Sequence, residues 1–359
     1  MELQYKPDFP QVLERFEAWW RCEIVDRPPV SISVKRTKPP AELPGKAHAS
    51  LRDRWLDVEH ALDRFEAGLQ GRVFFAESLP SFMPNVGPEV CATVFGCELE
   101  FGENTSWSIP NCKSVREVLG IEPSLDNPYW DAIRRGTQIS AERGAGKWLT
   151  AITDLHTNGD LLASLRDPQE LCLDCADDLE GVRLACDHVT RAYPLMYEDL
   201  YDRTAGQPSL TWIPCPHAGK MYVTNCDFIC MISPQMLEDS IWPSILREMH
   251  YLDRNIFHLD GPGALMHLDR LLAADELHGL QWVYGAGNEP ISRWIDVYKR
   301  AQAAGKCLQL TCENMDEAWK LTEVLQPEGC WFCVGGDYTR AEAEAFVADI
   351  AKWAAGARR

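Results

Sequence analysis

The sequence contains no unbroken apolar run near the roughly 18 residues of a membrane-crossing helix, so no membrane span is expected. Its opening, "MELQYKPDFP", lacks the basic region and apolar block of an export signal. Basic residues are in deficit: 35 Lys and Arg against 54 Asp and Glu leave a formal charge of -19. Nucleic-acid backbones are bound by clustered cations, so DNA and RNA are excluded as partners, and anionic membrane surfaces are disfavoured. An anionic small substrate is not excluded, because a few arginines in a pocket override the global sign locally. GxGxxG and phosphate-loop patterns are also missing, which removes the main support for a dinucleotide-binding doubly wound sheet. "CLDC" at 172–175 has no second CxxC pair, so a structural zinc site of the paired type is not indicated.

What is present is a chain of 359 residues with 46% hydrophobic composition, enough for a full core. The 14 cysteines sit singly among apolar residues, as reduced core cysteines of a cytoplasmic protein do. "CLDC" falls inside a helical pattern and reads as core first, with a metal or redox site as the alternative.

The pattern alternates between strand and helix. Phe16, Trp19 and Trp20 share one face of an N-terminal helix that Pro28 and Pro29 stop, giving a helical extension over 1–27. β-Branched or alternating segments predict strands over 30–35, 72–77, 147–153, 220–228, 255–260, 279–285, 306–311 and 329–334. Amphipathic segments predict helices over 51–65, 128–143, 168–196, 233–252, 263–274, 290–305, 314–325 and 339–354. Ser233 is a fair N-cap, with Pro234 at the first helical position. Residues 97–125, with the polar, turn-rich "GENTSWSIPNC", form an excursion; "DLHTNGD" (154–160) is a loop, 201–207 a turn and "SLTWIPC" an inserted segment. Eight strands separated mostly by helices predict a single (β/α)8 TIM barrel over 1–359, with the N-terminal extension and loop excursions added.

In such a barrel, chemistry sits at the carboxyl ends of the strands. "IFHLDGPG" (256–263) places His258 and Asp260 there on one face, about 6.5–7 Å apart along the strand. An imidazole and a carboxylate so placed can hold a metal, or His258 can act as acid or base. Strand-end capping and a local hydrogen-bond network are the plain alternative. Other strand ends offer Asp227, Tyr284, Asn288, Glu289, Glu313 and Asn314, where an Asx turn, solvation or an N-cap would also account for individual residues. "DLHTNGD" adds His156, Asn158 and Asp160, and "PCPHAG" adds Cys215 and His217, which also fit plain loops. Cys330 and Cys333 point to opposite faces of the last strand, and Cys330 falls at its amino end.

The stretches "WWRCEIVDRPPVSISV", "DLHTNGDLLASLRDPQELCLDCADDLEGV", "CDFICMISPQMLED", "IFHLDGPGALMHLD" and "LQWVYGAGNEP" span most of the chain. Together they resemble the uroporphyrinogen decarboxylase superfamily, which includes cobalamin-linked methyltransferases. The resemblance implies a soluble cytoplasmic barrel. The methyltransferase branch holds zinc by His, Cys and Cys, activates a thiol and moves methyl groups between a corrinoid and that thiol. By this resemblance His258 matches the histidine, Asp260 stands at the first cysteine and Cys330 is the nearest match to the second, with a corrinoid protein as partner. Asp227 and Glu289 would orient substrate. The decarboxylases carry "RQAGR" after the first strand, where this chain reads "SVKRTKPP" with Lys35, Arg36 and Lys38. A metal-free decarboxylase would use Arg36 to hold carboxylates of a tetrapyrrole or smaller acid, with His258 or Tyr284 as proton donor. His156, Asn158, Asn288 and Glu289 are the further substrate-binding candidates. A tetrapyrrole or corrinoid binder without catalysis is the third reading. A homodimer is one assembly this class allows.

Overall fold

The computed structural model describes residues 1–36, 38–39, 41–204 and 206–357. Thr37 and Pro40 of "SVKRTKPP", and Ala205 of the turn expected over 201–207, lie outside the described residues. The fold is α/β with a mostly parallel central sheet and flanking helices. Ten strands occur among the described residues. They are β1 (Val30–Val34), β2 (Ser81–Phe82), β3 (Glu98–Phe101), β4 (Ser106–Ile109), β5 (Leu149–Thr150), β6 (Met221–Asn225), β7 (Arg254–Asp260), β8 (Gly279–Val283), β9 (Cys307–Cys312) and β10 (Cys330–Tyr338). Six of them form one sheet in the order β1-β10-β9-β8-β7-β6, all parallel. A parallel β2–β5 pair stands apart from this ladder, and β3–β4 is an antiparallel hairpin inside the expected excursion.

Register assigns each strand residue to a face. Asn225, His258, Gln281 and Gln309 are successive direct partners across β6 to β9, and Thr311, Cys333 and Ser31 continue the same face onto β10 and β1. Toward the amino ends this face carries Val223, Ile256, Cys307 and Trp331, packed with Leu149, Ala151 and Leu210 from the β5 side. The opposite face carries Tyr222, Phe257, Leu259, Leu280, Leu308 and Phe332 and packs on the helices. An N-terminal helix, α1 (Phe9–Trp19), closes the floor: Phe9, Val12, Phe16, Trp19 and Trp20 join the inner cluster. Trp19 Nε1 donates to the Gly329 carbonyl at 2.7 Å, so the indole is buried without losing its hydrogen bond. Burial of each such side chain contributes roughly 1.5–3 kcal/mol.

Several expectations need correction. Residues 72–77 form no ladder, only a single antiparallel bridge between Ser31 and Ala76. The reason is Glu77, which is fully buried: its carboxylate takes the Val30 N–H at 2.6 Å and the Arg27 guanidinium at 2.7 and 3.0 Å. A side chain thus occupies the edge donor that a neighbouring strand would have used. The regular second parallel strand is instead the short β2, and the third is cut to Leu149–Thr150. The helix predicted over 168–196 breaks into Pro168–Asp177, Leu179–Thr190 and Tyr193–Tyr201, because Asp178 turns out of the helix and its side chain caps Gly181 N–H. Asp57 splits the helix predicted over 51–65 in the same way. The first helix ends at Trp19, before Pro28 and Pro29, and the chain turns at Cys22, whose φ is +52°. Ser233 caps its helix as expected, accepting from Met236 N, and Asn314 takes the N-cap alternative, accepting from Glu317 N. No helix among the described residues is long and apolar enough to cross a membrane.

Candidate metal centre

β7 ends where apolar alternation gives way to His258 and Asp260, which leave the sheet on its inner face. β6 ends at Asn225, the register partner of His258, and after Cys226 the chain turns into a short 3-10 helix, Asp227–Met231. Asp227, His258 and Asp260 each bring one ligand atom to within 4.8 Å of the other two.

Two features fix the imidazole. Its Nδ1 hydrogen-bonds Gln281 Oε1, and the Trp212 ring meets it edge-on at 5.2 Å. An amide oxygen only accepts, so Nδ1 carries the proton and Nε2 keeps its lone pair for a ligand. A carboxylate fixes Asp227. Asp160 accepts from Asp227 N at 3.0 Å, Phe228 N at 2.9 Å and Asn225 Nδ2 at 2.9 Å. Asp160 belongs to α2 (Asn158–Arg166), so "DLHTNGD" is half loop and half helix. Its first helical residue, Asn158, has φ +54°, a conformation asparagine tolerates.

The site is strongly acidic. Asp227 is open to solvent at the rim, yet the protein around it and the Asp160 charge push its carboxyl up to about 6. His156 lies 3.0 Å from Asp154 and 3.7 Å from Asp160. Burial alone would lower its pKa, but the charges of Asp154, Asp160 and Asp227 outweigh this and raise it to about 9. The Asn225 Nδ2 lies 3.0 Å from His156 Nδ1 while donating to Asp160, and its Oδ1 has no partner among the described residues. Behind this row, Glu248 on α3 (Trp242–Tyr251) is buried. It accepts from Thr157 Oγ1 and, at 3.1 Å to each oxygen, from Asn158 Nδ2. Burial raises it to about 8.

The other expected residues are placed as follows. Asn158 is a buried brace, donating also to the Asn225 carbonyl at 3.0 Å. Tyr284 donates its hydroxyl to Glu313, and burial with that neighbouring charge raises its pKa. Asn288 accepts from Trp294 Nε1 through its backbone, and Glu289 is exposed beside it. His217 pairs with Glu17 at 3.0 Å, on the floor side with Trp20. Arg36 donates to the Gly68 and Gln70 carbonyls. Cys330 is apart from the cluster: it is fully buried on the outer face of β10, and its Sγ donates to the Gln326 carbonyl at 3.0 Å. Gln281, Asn225, Trp212 and Glu248 were not picked out by sequence reasoning. Pairing register is the signal that would have found the first two, since both sit opposite His258.

Two cavities open on this end. One of about 350 Å³ is lined by His156, Asp160, Asp227, Phe228, Cys230 and Met231. One of about 730 Å³ lies toward β1, β9 and β10 and is lined by Arg36, Arg72, Ser33, Thr311, Cys333 and Asp337.

The chain is similar in structure to a methyltransferase from Methanosarcina mazei. The TM-score is 0.60 with 13% sequence identity, over 97% of this chain and 98% of that chain. At this identity the likeness establishes a shared fold. No family model and no curated protein matches the chain.

Proposed function

We propose that this chain is a (β/α)8-barrel enzyme of the uroporphyrinogen decarboxylase superfamily, acting as a metal-dependent methyltransferase on a small methylated compound or a corrinoid partner. The observation that carries the proposal is the convergence of Asp227, His258 and Asp260 ligand atoms within 4.8 Å at the strand ends. The end-to-end likeness to a methyltransferase supports it. In this reading the six-stranded sheet and the β2–β5 pair belong to one barrel with irregular seams.

The donor set suits a divalent cation such as Zn2+: one imidazole nitrogen and two carboxylate oxygens, with a further position open to a substrate. Asp227 takes the place expected of Cys330, so the set is His-Asp-Asp. Bound there, the cation would lower the pKa of an acceptor thiol and make it nucleophilic at neutral pH. The protein's part is orientation. Gln281 engages Nδ1, which leaves Nε2 as the ring's ligand nitrogen, and Asp160 holds the backbone that presents Asp227. Tyr284, Asn288 and Glu289 stand at the neighbouring strand end as substrate contacts, and the 350 Å³ cavity suits a small substrate. The test is the metal content of protein purified without added metal. Close to one zinc per chain, lost in His258→Ala, is expected; absence of zinc together with unchanged zinc affinity in that variant overturns the reading.

A second reading, metal-free decarboxylation of a tetrapyrrole or smaller carboxylic acid, has one specific support. Arg36 and Arg72 line the 730 Å³ cavity, and neither has a carboxylate partner among the described residues. Two such guanidiniums suit substrate carboxylates. Formation of a coproporphyrinogen from a uroporphyrinogen by the purified chain would favour this reading over the first.

A further inference from the structure

At the end opposite the candidate metal centre, two cysteines from distant parts of the chain meet. Cys22 follows the floor helix α1 and Cys307 opens β9; their sulfurs are 3.5 Å apart. Among the described residues this is the one sulfur–sulfur hydrogen-bond contact. The two differ in access: Cys22 is partly exposed, whereas Cys307 is buried and donates to the Trp19 carbonyl at 2.8 Å. Their neighbourhood is cationic. Lys306 precedes Cys307, its ammonium held on the Ala274 and Leu277 carbonyls. Cys307, 3.5 Å away, can turn its S–H from the Trp19 carbonyl to a Cys22 thiolate, and with the Lys306 charge this brings the Cys22 thiol below its ordinary pKa against the cost of burial. By contrast, Cys330 is fully buried and Cys172 and Cys175 lie along one helix with no sulfur contact.

We propose that Cys22 and Cys307 are a redox-closed pair, which a low-molecular-weight disulfide such as oxidised glutathione converts into an internal disulfide fastening the floor helix to β9. The Cys22 thiolate attacks one sulfur of the external disulfide, and the other leaves as a thiolate that takes up a proton. Cys307 then loses its proton to solvent and attacks the Cys22 sulfur, expelling the second external thiol. Two protein thiols are oxidised and one external disulfide is reduced to two thiols. Capping Cys22 removes the charge and hydrogen bond that disfavour ionisation of Cys307, leaving burial as the opposing effect in the second step. The partly exposed member with the lower pKa is the attacking one, as thiol exchange requires. The link would join residues 285 positions apart, and long loops restrict the unfolded state most.

The test incubates the full-length chain with a glutathione redox buffer, quenches with an alkylating agent and maps peptides without reduction. The expected product joins the peptide of Cys22 to that of Cys307, with fragmentation separating Cys307 from nearby Cys312. The thermal midpoint should rise by roughly 5–10 °C on oxidation and return on reduction. Cys22→Ser, at a partly exposed position, should fold and show neither the link nor the rise. Recovery of both cysteines alkylated after oxidation, a link through another cysteine, or an equal rise in Cys22→Ser overturns the proposal.

Discussion

His258 and Gln281 are joined twice: they are direct register partners on β7 and β8, and Nδ1 of the ring is hydrogen-bonded to the amide oxygen. The backbone pairing sets the distance and the side-chain bond sets the tautomer. Gln281→Leu removes the acceptor and leaves the ring free to protonate at either nitrogen. Zinc affinity should fall roughly 10–100-fold, while Gln281→Glu, which keeps an acceptor, should retain it. Competition with a chelating dye measures both, and equal affinity in the Leu variant would break the link between tautomer and metal.

Asp160 acts one step further out. Its two oxygens accept three N–H groups around the turn that carries Asp227. Asp160→Asn replaces one oxygen with a donor and removes the neighbouring charge. The Asp227 carboxyl should titrate below about 6, toward the ordinary aspartate range, and zinc affinity should fall about tenfold. Carboxyl NMR titration of the metal-free protein reads the first effect independently of the second.

Glu248 makes the stability of the chain depend on pH. Its folded pKa is raised to about 8 from the ordinary 4.5, so the unfolded chain gives up this proton first. Stability therefore falls as pH rises from about 4.5 to about 8. Glu248→Gln removes that slope but forces an amide N–H against the Asn158 donor. The net gain should be on the order of 2 kcal/mol at pH 8 and absent near pH 4, measured by urea unfolding at the two pH values.

Glu77 holds the floor helix region to the first strand. It is fully buried and bonded to Arg27, Arg15 and the Val30 N–H. Glu77→Gln leaves Arg27 buried with an incomplete partner, which costs roughly 3–5 kcal/mol. The unfolding midpoint in urea should drop with an unchanged slope, and zinc affinity should stay within about twofold because the change is remote from the candidate metal centre.

These residues mark what local pattern conveys. Period-two alternation places His258 and Asp260 on one face, and the caps at Ser233 and Asn314 follow from side-chain type alone. Asp227 could be nominated from its place after a strand, but its meeting with Asp260 depends on how two strands align. Gln281 and Asn225 are ordinary polar residues until register sets them beside His258. Glu248 reads as one more charged helix position, and only tertiary packing buries it. Residues 72–77 carry a strand pattern, yet a carboxylate from their own end takes the hydrogen bond a ladder needs. Cys330 shows the converse: similarity of position suggested a ligand, while its even place in β10 turns it to the helices.

The indoles and phenyl rings of α1 seal one end of the inner face with side chains that exchange no room for water. Access is therefore confined to the other end: a ligand bound beside His258 would enter and leave on the side where the two cavities open. Occupancy would then be sequential, with one bound molecule having to depart before the next could take its place.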